Sequence, residues 1–216
     1  MRQKIQFTAL LLLIIASFKT WAQESSTEGS IVYKVTMQAT PGNPAQQIGT
    51  YTVTIKNKMV RKEFTMDNGF TSTLIYNTAA GTAVSLKHIP DRKFAIQLNM
   101  ADMKEQFKQY EGYKLTESGQ TGSSGGYSRD QAKLTYPSGK SVNICLSKWT
   151  LSNPLIFEYF PAIKRLPLYF ESINEQGKVV VFEATQVLQS TVESSLFRIP
   201  TDYKIITNEE YKKLSQ

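Results

Sequence analysis

Strict alternation of apolar and polar residues is the feature that most restricts this chain. In "GSIVYKVTMQ" Ile31, Tyr33, Val35 and Met37 fall on one side, with Lys34 and Thr36 on the other. In "GTYTVTIKN" Tyr51, Val53 and Ile55 alternate with Thr52, Thr54 and Lys56. A period of two places side chains on opposite faces of a strand. "MVRKEFTM", "FTSTLIYN", "TAVSLKH" and "KFAIQL" follow, divided by Asn57-Lys58, by "MDNG" at 66–69 and by Pro90-Asp91. Asn-Gly and Pro-Asp pairs mark tight turns. The pattern predicts a meander of short antiparallel strands with one dry and one wet face.

The period then changes. In "MADMKEQFKQY" Met100, Met103, Phe107 and Tyr110 recur at helical spacing, opposed by Lys104, Glu105 and Lys108. That is one apolar stripe of a short helix, with Asn99 placed to cap it. "ESGQTGSSGG" at 117–126 reads as a mobile turn; it lacks the Lys-Ser/Thr ending of a phosphate loop. Strands resume in "AKLTY" and "KSVNICLSKW". "NPLIFEYFPAIKRLP" brings Leu155, Ile156, Phe157, Tyr159 and Phe160 between prolines, which suits a short helix or apolar loop better than a strand. A hairpin turning at Asn174–Gly177, a short strand "LFRIP" and a helix "TNEEYKKL" complete the reading. Phe197 is expected to enter the core, Pro200 to end strand pairing, and Tyr203 to pack back. Thr207 or Asn208 is the expected helix cap.

The chain opens "MRQKIQFTALLLLIIASFKTWAQ". Arg2 and Lys4 precede a short apolar run, and Thr20-Trp21-Ala22 offers small residues before a cut at Gln23. This is the order of a secretory signal peptide, residues 1–22, ahead of a single domain, 23–216. The expected location is periplasmic or secreted, without a transmembrane segment once the signal is cut. The net charge of +7 includes Arg2, Lys4 and Lys19, so the mature excess is mild. No basic run with interleaved aromatics points to nucleic acid. With one cysteine, Cys145, no internal disulfide can form, and its apolar neighbours suggest a buried thiol.

Chemistry is hard to assemble from these residues. The single histidine, His88, would have to serve any Ser-His-acid triad, and no Gly-x-Ser-x-Gly elbow exists. One histidine and one cysteine do not make a zinc or copper site. The acids Glu63, Asp67, Asp91, Glu117, Glu158, Glu171 and Glu183 sit beside lysines or in turns and read as solvated surface. Neither an enzyme nor a cofactor is expected. Apolar surface remains: Met100, Met103, Phe107 and Tyr110, with Phe157, Tyr159 and Phe160, interrupt a strand-built domain. They either cover the sheet as core or lid a hydrophobic pocket, for which thioethers and aromatics are well suited.

The ending "LPLYFESINEQGKVVVFEATQVLQSTVESSLFRIPTDYKI" carries a likeness. Leu166-Pro167, Gly177, Val187-Leu188, Phe197, Ile199, Pro200 and Tyr203 resemble the C-terminal pattern of Gram-negative envelope proteins grouped as a domain of unknown function. That group in turn is similar to the lipoprotein-carrier (LolA/LppX-like) half-barrel, and the likeness runs over roughly residues 29–206. The resemblance implies a mainly β (α+β) fold: a curved antiparallel half-barrel sheet, covered by a few short helices, around an apolar cavity. It implies a non-catalytic binding protein for a lipid or other hydrophobic ligand, with a lipid, a lipid-modified protein or other envelope proteins as partners. The alternative is an envelope protein–protein interaction module with a filled core and no ligand. One departure is that only Gln23 to Glu28 separate the expected cut from the first strand, too few for the carrier's first covering helix.

Overall fold

A computed structural model describes residues 25–26, 28–89, 92–124, 126–151, 156–174 and 176–214. The expected signal peptide, the Pro90-Asp91 turn and Leu155 lie outside the described residues.

Two antiparallel meanders carry the chain. The first comprises β2 (Glu28–Met37), β3 (Gln46–Lys56), β4 (Met59–Met66), β5 (Thr71–Asn77), β6 (Thr82–Ile89) and β7 (Arg92–Asn99). The second comprises β8 (Lys114–Ser124), β9 (Tyr127–Thr135), β10 (Ser141–Leu151), β11 (Arg165–Ile173) and β12 (Val179–Leu188). β2 pairs antiparallel with β12, which fuses both into one open, curved sheet. The expected mainly β class is therefore what the chain adopts. β13 (Lys204–Thr207) adds a parallel strand beside β7, and β1 (Ser25–Ser26) pairs with the end of β10.

The alternation does what it predicts in β2 and β3. Ile31, Tyr33, Val35, Val53 and Ile55 are buried on the inner face, while Lys34 is exposed. The β11–β12 turn forms at Asn174–Gly177: Asn174 accepts from two backbone N–H groups, and Gly177 takes φ 74°. One expectation fails here. Most of the Gly/Ser-rich stretch at 117–126 is not a turn but β8, an edge strand, with a register shift between Glu117 and Thr121. After Leu115 this strand carries only polar residues and glycine, so no apolar residue announces a period.

Three segments cover the sheet, besides the C-terminal helix, whose Tyr211 meets the Phe94 ring of β7 edge to face at 6.2 Å. α1 (Met100–Phe107) starts where β7 ends, and the Asn99 side chain accepts from the Ala101 N–H. With the 3₁₀ turn Lys108–Tyr110 it leads from β7 to β8, which lie near opposite edges of the sheet. Residues 156–163, between β10 and β11, leave the sheet as turns and enter the inner face as a plug. Phe157 and Phe160 stack at 5.2 Å, and both set their edges against Phe170 of β11.

The third segment is a strap over the outer face, residues 189–203. The Glu28 carboxylate accepts from the Val192 N–H, Lys56 donates to the Val192 carbonyl, and Arg61 donates to the Leu196 carbonyl. Phe197, Ile199 and Tyr203 then lie on Ile75, Leu86 and Ala95. This corrects the expected "LFRIP" strand. Ser194–Phe197 is a 3₁₀ turn, Phe197 is only half-buried, and the strand begins at Lys204. The physical reason is that β5 to β7 are apolar on both faces, so the outer face needs cover as much as the inner one. α2 (Asn208–Leu214) follows, capped by Thr207: its hydroxyl accepts from the Glu210 N–H, and Glu210 accepts from the Thr207 N–H.

Candidate functional site

The seven residues expected to line a pocket all lie on the inner face, at two depths. Met100, Met103, Phe157 and Phe160 are buried in the main core, Phe160 at 0% exposure. Phe107, Tyr110 and Tyr159 sit at its margin, partly exposed. Tyr110 meets Tyr159 edge to face at 5.4 Å, and Tyr136, just after β9, at 5.6 Å. These three rings wall a cleft of about 530 Å³, completed by Lys140, Ser172 and Asn174 among others. The Tyr136 hydroxyl donates to the Tyr159 carbonyl at 2.8 Å, which ties the plug to the turn between β9 and β10. Burial first, and then the nearby Glu158 charge, push the Tyr159 phenol up to about 12. These tyrosines work as neutral hydroxyls and flat rings, not as acids.

The inner face also holds charges that composition does not reveal. Lys62 of β4 is 3% exposed and pairs with Glu158 of the plug; its ammonium lies 5.3 Å from the Tyr76 ring centre. Burial pulls the Lys62 pKa down, but Glu158 and Tyr76 together raise it above its ordinary value. Tyr76 donates to the Ile156 carbonyl at 3.4 Å, so polar groups hold the plug along its length. Glu158 is thus not the solvated surface acid expected. Lys62 could have been found by parity, since it shares a face with Val60 and Phe64.

Beyond the plug, the inner face of β4 to β7 forms a regular lattice. Phe64, Ser72, Lys87 and Phe94 form one rung; Lys62, Leu74, Ser85 and Ile96 the next; Val60, Tyr76, Ala83 and Leu98 a third. Phe64, Leu74 and Leu98 keep partial exposure, as does Phe107 of α1. Lys87 is half-buried and donates to the Ser72 hydroxyl at 2.5 Å. Sequence reading missed Lys87 because in β6 the apolar residues Val84 and Leu86 face the strap, which reverses the usual parity.

His88 is exposed on the outer face. Cys145 is buried, and burial raises its thiol pKa. Among the described residues no group of three His, Cys, Asp or Glu side chains could hold a metal ion, and no helix is long and apolar enough to cross a membrane.

No family model matches this chain, and no curated protein matches it. Among solved structures, the crystal structure of MucB is similar at a TM-score of 0.34 and 13% identity. The match covers 83% of this chain and 59% of that one, so the chain spans less than two thirds of its neighbour's length.

Proposed function

We propose that this chain is a secreted, periplasmic and non-catalytic binding protein for a lipid or other hydrophobic ligand, built on a half-barrel of the lipoprotein-carrier (LolA/LppX-like) kind. One observation carries the reading: Phe64, Leu74, Leu98 and Phe107 cluster on the inner face at the margin of the main core and keep part of their apolar surface exposed there. The ligand lies along this lattice beside α1. Burial of an alkyl chain there yields ~0.8 kcal/mol per CH₂ before ordering costs, so no charged catalytic group is required.

The test is native mass spectrometry on protein purified without detergent, followed by organic extraction and by uptake of an apolar fluorescent probe. An extractable lipid adduct, and probe uptake lost in Leu74→Ser and Phe107→Ser, support the reading. A bare mass that takes up no lipid overturns it. A second reading, an envelope interaction module, is favoured by the filled centre of the sheet, where Phe157 and Phe160 leave no space. That reading expects the bare mass and a protein partner.

A further inference from the structure

The two lysines on the inner face of β4 to β7 are treated differently. Lys62 has Glu158. Lys87 has no carboxylate within ion-pair distance among the described residues; its partner is the Ser72 hydroxyl. Its surroundings are otherwise apolar: Phe94 opposite it in β7, and the Phe70 ring centre 6.0 Å from the ammonium. A half-desolvated cation without an anion is unfavourable, and burial accordingly lowers the Lys87 pKa.

We propose that Lys87 and Ser72 form a site for the head group of an anionic amphiphile, a long-chain carboxylate whose tail lies on the apolar lattice. This deepens the binding reading and rests on it. Lys87 already donates to Ser72, so the hydroxyl's own proton is free to donate onward, and two donors converge on one point. The tail has a path. From the rung of Lys87 to that of Leu98 is four residues of β7, about 13 Å of strand. Ser72 and Ser85 keep that path low beside the partly exposed Phe64, Leu74 and Leu98, while Phe94 and Ile96, buried under Ile206 and Tyr211, close its other side. An anion at Lys87 supplies the charge complementarity that Glu158 supplies to Lys62.

The experiment compares sodium decanoate with decan-1-ol, which share a tail and differ in head charge, by titration calorimetry near neutral pH. Decanoate is expected to bind at least tenfold more tightly. Lys87→Gln is expected to remove that ratio while leaving decan-1-ol binding unchanged. Lys133→Gln, an exposed lysine of the outer face, is expected to keep it. Equal binding of the two ligands to the unmodified protein, or a ratio that survives Lys87→Gln, overturns the head-group site but leaves the apolar site standing. Binding of neither ligand overturns both. Should Lys87→Gln fail to fold, Ser72→Ala decides: a ratio reduced threefold or more supports the site, and an unchanged ratio removes it.

Discussion

Lys62 shows how a single side chain on an ordinary-looking strand can control a whole segment. It is buried with Glu158, and removing one member of such a pair leaves the other desolvated and uncompensated, at a cost of about 3 kcal/mol. Glu158→Gln is expected to lower the urea midpoint accordingly, and Lys62→Met combined with Glu158→Gln to recover most of the loss. The pH dependence has a definite sign. The folded Lys62 pKa lies above its unfolded value of about 10.4. The pair's contribution is therefore complete below that value and declines as pH rises through the folded one. Urea midpoints that show no decline specific to the Lys62–Glu158 pair above pH 10.5 would contradict the assignment. The phenylalanines make a contrast at the same scale. Phe160→Ala removes a fully buried ring and should cost ~3–5 kcal/mol, whereas Phe197→Ala, half-buried under the strap, should cost less than half that. Equal losses would place Phe197 in the core after all. Alternation found the inner-face apolar residues of β2 and β3, because those strands have one wet face. It could not rank Phe157 or Phe160, because burial in a loop has no period.

At the scale of elements, short-range signals located most of the fold. Turn residues marked the hairpins, and helical spacing with Asn99 marked α1. The strap and β13 were not legible, because their cause is the outer face of β5 to β7, distant in sequence. β8 was hidden by its Gly and Ser content. The strap carries its own prediction. It is fastened near both ends by carboxylates whose pKa values are lowered. Glu28 is held down first by the Val192 N–H and then by Lys56; Asp202 is held down first by its hydrogen bond from Lys93. A depressed folded pKa contributes stability that is complete above the unfolded values, 4.5 and 3.8, and lost as pH falls through the folded ones. Amide exchange or limited proteolysis below about pH 4 should therefore open 189–203 while the inner strands β2 and β3 stay protected. Simultaneous loss of protection in both regions would show that the strap is not a separate unit.

The whole molecule depends on one seam. Each meander is held by pairing of successive strands, and among the described residues β2 and β12 are the strands that pair across the two, with the main core drawing on both sides of that seam. Tyr33 of β2 donates to the Pro167 carbonyl of β11 and faces both Phe170 and Phe157, so strands from each meander share one aromatic cluster. A core shared in this way should unfold in a single transition, monitored alike by far-ultraviolet dichroism and by tyrosine absorbance. The seam also has a position that tolerates no side chain. Gly29 takes φ 153°, and a Cβ there would stand 2.3 Å from the Leu188 carbonyl oxygen, a backbone atom that cannot swing away. Gly29→Ala must therefore strain β2 or push it off β12, at a cost of about 2–3 kcal/mol. The expected result is a lower midpoint with the single transition split in two, as the meanders lose their coupling before either loses its hairpins. Coincident transitions at the original midpoint would mean that the seam accommodates the added methyl without cost.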